Sequence, residues 1–107
     1  MARTITLYSR VTDAPHRVAH DLAHELGHAV DADRLSAADR AAYLRRRGVA
    51  DAAWWPSGRG ADYASGAGDF AEVFALCHAA SAEFRSRLAP PPADPCAALP
   101  AAARDLA

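Results

Sequence analysis

The chain has 107 residues, a formal net charge of −1 and no Lys, Asn or Gln; Ala alone fills 29 positions, so the 51% hydrophobic content hides a shortage of large apolar side chains. Such a chain can build one small core, and a bound metal or a disulfide would help to hold it. The balanced charge gives no reason to expect nucleic acid or anionic lipid as a partner, no apolar run nears the roughly 20 residues of a membrane span, and the N-terminus shows no apolar h-region.

Arg3 to Tyr8 alternates, with Ile5 and Leu7 on one face and Thr4, Thr6 and Tyr8 on the other. The alternation predicts one short strand. A helix follows from Ala14 to about Asp31, capped by Thr12 or Asp13 and helped by Pro15 in its first turn. Val18, Leu22, Leu26 and Val30 recur every four residues and are expected to form its buried stripe. Ser36 and Asp39 make a capping box for a second helix that ends in Arg45, Arg46 and Arg47, with Gly48 as its stop. Residues 49–67 form a long loop carrying Trp54 and Trp55, a pair that argues for packing. A third helix is predicted from Asp69 to Leu88, with Phe70, Val73, Phe74, Cys77 and Phe84 facing inward. The remainder is rich in Pro and Ala and is expected to be loosely ordered, with one helical turn at 101–106. Residues 1–89 then make one minimal domain and 90–107 its tail. The expected fold class is mainly α with an α+β remnant.

The chemistry sits in His24-Glu25-Leu26-Gly27-His28, an H-E-x-x-H sequence. Imidazoles at i and i+4 leave one face of a helix about one turn apart, close enough to bind a single zinc ion. Glu25 lies on the adjoining side, where it can take a proton from water that the metal has acidified, and the hydroxide can then attack a polarised carbonyl. A third protein ligand is needed. A third His six residues after His28 is ruled out, because that position is Arg34. Asp69 and Glu72, three apart on the third helix, share a face. One of them can bind the metal while the other holds a ligand imidazole by its second nitrogen. His20 continues the four-residue rhythm and is read as a packed or supporting residue, His16 as surface, and His78 as structural. Asp31 lies at the helix end that disfavours a carboxylate, which points to a specific partner for it.

His24 to Asp31 (HELGHAVD) followed by Asp69 to Ala75 (DFAEVFA) resembles the gluzincin metallopeptidases, and among them the catalytic domain of anthrax lethal factor and related bacterial domains. The resemblance covers about residues 20–78. It implies a zincin-like fold, one zinc ion, a peptide or protein substrate, His24 and His28 as metal ligands and Glu25 as general base. The family's second motif carries two Glu residues. The second matches Glu72, while the first, which is the family's third zinc ligand, falls on Gly68. Either Asp69 takes over as ligand with Glu72 behind it, or Glu72 binds directly, or the site has lost catalysis. A Tyr before the second motif steadies the oxyanion in related domains, which makes Tyr63 the candidate here.

Zincin-type peptidases place a sheet ahead of the metal-binding helix and bind substrate backbone at its edge. Only residues 3–8 are available for that, so either the domain is pared down, or it pairs with a second copy or a partner chain through the N-terminal strand, or an upstream segment completes it. Cys77 and Cys96 lack zinc-motif spacing. About 18 Å of helix beyond Cys77 can be retraced by the seven extended residues leading to Cys96, so a bridge is within reach. The missing h-region instead favours free thiols in a cytoplasmic protein, with secretion following only from an upstream segment. Two functions stand at this point: a zinc metallopeptidase, and a catalytically silent zinc-binding module that offers the Trp54–Trp55 loop to a partner.

Overall fold

The structure of the protein is a computed structural model that describes residues 15–57 and 62–106. The strand expected over residues 3–8 and the caps expected at Thr12 and Asp13 lie outside the described residues. Within them the chain is mainly helical: α1 (Pro15–Arg34), α2 (Ala37–Arg46), a 3-10 turn (Asp62–Ala64), α3 (Gly66–Ala79), α4 (Pro95–Ala98) and α5 (Ala101–Arg104), with no strand among the described residues.

The α2 helix begins as its sequence predicts. The Ser36 hydroxyl accepts from the Asp39 amide at 3.1 Å and the Asp39 carboxylate accepts from the Ser36 amide at 2.9 Å, so two amides that the helix leaves unpaired are satisfied together. Gly48, at φ +73, turns the chain after the helix.

The core is assembled on α3. Phe70, Val73 and Phe74 are fully buried, and Tyr43 and Leu44 of α2, Trp54 of the loop, and Leu99 and Ala103 of the tail close around them. Tyr43 meets both Trp54 and Phe70 edge-on, at ring distances of 5.8 and 5.7 Å. The Trp pair divides: Trp54 is buried and donates from its indole N–H to Asp31 at 2.8 Å, while Trp55 is 55% exposed with the Arg40 guanidinium 5.0 Å from its ring centre. Asp31 also accepts from Arg40 Nε at 2.8 Å, so the carboxylate at the end of α1 ties that helix to α2 and to the loop.

Three expectations are corrected. Of the apolar stripe expected on α1, Val30 is buried in the core, but Leu22 and Leu26 are 48% and 39% exposed. The face turned inward carries His20, Ala23, His24, Gly27 and Asp31. Two residues along a helix is a rotation of about 200°, so the His and Leu stripes oppose one another and only one can face α3. The polar stripe faces it because Glu72 is buried there and must be hydrogen-bonded. Second, α3 runs from Gly66 to Ala79, so it starts three residues earlier than expected and stops nine earlier. Ser65 caps it by accepting from the Gly68 amide, and Ala80 ends it in the left-handed conformation at φ 50. Residues 81–88 then double back, with the Arg85 amide donating to Glu72, the Ser86 hydroxyl to Asp69 and the Arg87 amide to the Tyr63 carbonyl. Phe84 packs on the core from this segment instead of from a helix. Third, the tail is packed. Cys77 and Cys96 form a disulfide with Cα atoms 4.8 Å apart, and Leu99 and Ala103 behind it are fully buried. The expectation of free thiols is thereby overturned. A cross-link over 19 residues of separation restricts the unfolded chain and stabilises a core this small by about 3 kcal/mol.

Candidate metal centre

Gly27 sets the distance between the two helices that build the site. A Cβ at this position would come within 3.0 Å of the Ala71 backbone and 3.2 Å of the Phe74 side chain, so α1 and α3 lie closer than a larger residue would allow. The close packing brings His20 and His24 against Glu72. The turn Asp62–Ala64 arrives from the other side, over Gly68. A Cβ on Gly68 would overlap the Asp62 carbonyl oxygen, so the absence of a side chain there is what admits the turn.

Three donor atoms converge at this point. Asp62 Oδ2 lies 2.7 Å from His24 Nε2 and 2.9 Å from His28 Nε2, and the two Nε2 atoms are 3.0 Å apart. His24, His28 and Asp62 form a group that can hold a metal ion. The donors suit one. Ligand bonds of about 2.0–2.2 Å in a tetrahedron put donor atoms roughly 3.3–3.5 Å apart, so these three need to open by about 0.3–0.8 Å. His24 is almost fully buried, while His28 and Asp62 are about a third exposed, which leaves the outer side of the group open to solvent.

Glu72 stands behind His24. Its Oε2 accepts from His24 Nδ1 at 2.7 Å and from His20 Nε2 at 2.8 Å, and its Oε1 accepts from the Arg85 amide at 2.6 Å. An ionised carboxylate only accepts, so a proton sits on Nδ1 of His24 and the Nε2 lone pair is available on the side of Asp62 and His28 once that nitrogen loses its own proton. Burial favours the neutral His24 ring, but hydrogen bonds to Asp62 and Glu72 outweigh it and raise its pKa to about 9. Burial likewise opposes ionisation of Asp62, and the hydrogen bonds from His24 and His28 hold that carboxyl far below the usual carboxylate range. Glu72 is also lowered; burial resists ionisation, and the His24 hydrogen bond and the Arg85 amide overcome it.

The remaining expected residues are placed as follows. Glu25 is half-buried beside His24 and makes no hydrogen bond or ion pair to the described residues. Tyr63, next to Asp62, meets the His24 ring edge-on with centroids 5.4 Å apart, and its hydroxyl accepts from Arg85 Nη1 at 3.4 Å. Asp69 is not brought to the group. Its oxygens accept from Tyr43 Oη at 2.6 Å, from Arg47 Nε and Nη2 at 2.8 and 3.0 Å, and from Ser86 Oγ at 2.6 Å. Neither carboxylate expected to compete for the third position lies beside the two Nε2 atoms: Asp69 is engaged elsewhere, Glu72 holds the second nitrogen of His24, and the carboxylate at the Nε2 atoms is Asp62. Sequence reasoning missed Asp62 and Arg85. Its one usable signal was Gly68, a glycine in the position where the related motif carries its ligand Glu. Comparison with protein-family models, with curated proteins and with solved structures finds no match to this chain.

Proposed function

We propose that this chain is a zinc-dependent metallopeptidase of gluzincin type, acting on peptides or proteins, with His24, His28 and Asp62 holding one zinc ion and Glu25 as general base. The observation that carries the reading is the convergence of two imidazole nitrogens and a carboxylate oxygen within 3.0 Å of one another, with an unpaired Glu adjacent. Two imidazoles and a carboxylate suit zinc, and three protein ligands leave a position open for chemistry.

A bound zinc ion supplies Lewis acidity, which polarises a substrate carbonyl and acidifies water. With zinc held there, Glu25 would serve as the proton acceptor for the attacking water and as the donor to the departing amine. Glu72 keeps the His24 ring oriented through Nδ1, at the 2.7 Å already given. The Tyr63 hydroxyl would be the donor to a developing oxyanion, and the Arg85 guanidinium that donates to it, itself held by Asp21 and Glu83, would make it a stronger one.

The half-exposed Trp55 beside Arg40 favours a second reading, in which the metal staples a protein-interaction module. One experiment separates the two. Purified protein carrying one equivalent of zinc is offered a diverse peptide library, with Glu25→Gln alongside. Cleavage that disappears in Glu25→Gln while zinc affinity is retained supports the peptidase. Zinc binding with no cleavage of any peptide sinks it in favour of the silent module.

A further inference from the structure

Glu72 touches a second histidine, and that histidine leads to a serine. The His20 ring is fully buried, with Nε2 donating to Glu72 Oε2 at 2.8 Å and Nδ1 lying 2.6 Å from Ser81 Oγ. Because Glu72 can only accept, the proton of the neutral ring belongs on Nε2, and the Nδ1 lone pair faces the Ser81 hydroxyl. Ser81 therefore donates to His20. The result is a continuous chain of hydroxyl, imidazole and carboxylate. The division of roles is that of a Ser-His-Asp triad, with the two ring nitrogens exchanged.

Two further features set Ser81 apart from an ordinary half-buried serine. It follows Ala80, a non-glycine residue at φ 50, so the hydroxyl is presented from a strained turn at the end of α3. It also lines a cavity of about 280 Å³, to which, among the described residues, Ala19, Ala79, Ala80 and Ala82 contribute methyl groups and His20 and Ser81 polar side chains. The Glu83 amide donates to Ser81 Oγ at 3.1 Å, which fixes the orientation of the hydroxyl within the turn. Methyl walls, with no carboxylate or guanidinium among the described lining residues, suit a short, uncharged acyl chain.

We propose that Ser81, His20 and Glu72 form a second, metal-independent site that hydrolyses small acyl esters through an acyl-serine. Ser81 Oγ attacks the ester carbonyl carbon as its proton passes to His20 Nδ1. The carbonyl carbon's bond to the alcohol oxygen breaks, and His20 returns the proton to the departing alkoxide. Water then attacks the acyl-serine, again losing its proton to His20. The carboxylic acid leaves, and Ser81 recovers its proton. No oxidant, reductant or cofactor enters the balance. Glu72 is a positioning residue here, as it is for His24, so one carboxylate oxygen orients two imidazoles toward two different chemistries.

The test uses the full chain, zinc-loaded and chelator-treated, with p-nitrophenyl acetate as substrate and a fluorophosphonate as covalent probe. The expected results are a single adduct that peptide mapping places on Ser81, and ester cleavage about 100-fold above that of Ser81→Ala and unchanged by chelator. Zinc affinity and circular dichroism of Ser81→Ala are expected to match the parent, which shows that the variant is folded. An adduct elsewhere, no adduct, ester cleavage that chelator abolishes, or equal cleavage by folded Ser81→Ala overturns the proposal. Ester cleavage that chelator abolishes would be assigned to the metal centre; the other outcomes leave the zinc peptidase to its own test, peptide cleavage.

Discussion

Asp69 and Glu72 stand three residues apart on α3, and both are completely buried, yet they face different kinds of partner. Asp69 meets a guanidinium, a phenol and a hydroxyl, from Arg47, Tyr43 and Ser86. Glu72 meets two imidazoles and a backbone amide. Arg keeps its charge at every pH a protein survives, whereas His changes charge within the physiological range. Asp69 is therefore a fixed tie between α3, α2 and the segment that doubles back. Glu72 holds groups whose protonation a metal or a change of pH can alter. Two acids with the same burial thus differ in function through the titration behaviour of what they touch.

The comparison breaks most visibly at Asp69. Asp69→Ala takes the carboxylate from the Arg47 side chain, which is only 6% exposed and keeps just the Ala89 and Pro90 carbonyls as acceptors, and leaves the buried Tyr43 hydroxyl without its acceptor. Removing one partner from a buried ion pair costs about 3–5 kcal/mol. Urea denaturation should show a loss of that size, while the zinc affinity of the folded fraction stays at the parent value. A folded Asp69→Ala protein with parental stability and lost zinc affinity would reverse the roles assigned to the two acids.

The Glu72 side is sensitive to pH. Without metal, the folded pKa of His24 is raised from 6.5 to about 9. Its stabilisation is fully present below pH 6.5 and is lost as pH rises through 9, an amount of about 3 kcal/mol. Asp62 and Glu72 work in the opposite sense. Their lowered pKa values give stability that is present above the ordinary carboxylate range and disappears in acid. Chelated protein should therefore be most stable between about pH 5 and 6.5 and decline toward pH 9, read by thermal melts across that range. Zinc binding displaces the His24 proton, so its affinity should rise over the same interval and flatten the decline. A flat profile in the chelated protein would remove His24 from the network.

Glu72→Gln tests the orientation of the ligand ring directly. The amide fits the same space but makes a poorer acceptor for two imidazoles at once. Loss of the group that orients a metal-binding His usually lowers affinity by about 10–100-fold. Calorimetric titration of zinc should show that loss, with a denaturation midpoint disturbed less than that of Asp69→Ala.

The difference between the two acids was not legible in the sequence, although the elements that carry them largely were. The pair His24 and His28 is a local matter, since i and i+4 on any helix fall one turn apart. The start of α2 was equally local, because Ser36 and Asp39 cap it within a single turn. What failed depended on distant partners. Periodicity alone cannot choose between two opposed stripes on α1, and the choice was made by a carboxylate 48 residues from His24. The end of α3 was hidden because an alanine in the left-handed conformation carries no sequence mark. Asp62 reaches the imidazoles across 38 residues of separation from His24, and only the bare Gly68 beneath it hinted that a turn had to pass there.

The smallest expected effect comes from the segment that serves both acids. Ser86 donates its hydroxyl to Asp69, and its neighbour Arg85 donates its backbone amide to Glu72. Ser86→Ala removes one hydrogen bond from an acceptor that keeps Tyr43 and both Arg47 contacts, so it should cost about 1 kcal/mol. The Arg85 amide belongs to the backbone and survives the substitution. Its hold on Glu72 should persist, and zinc affinity should stay within about twofold of the parent. If a stability change this small comes with a tenfold loss of zinc affinity, the doubled-back segment couples the two acids, and their separation into a fixed tie and a responsive one fails at that point.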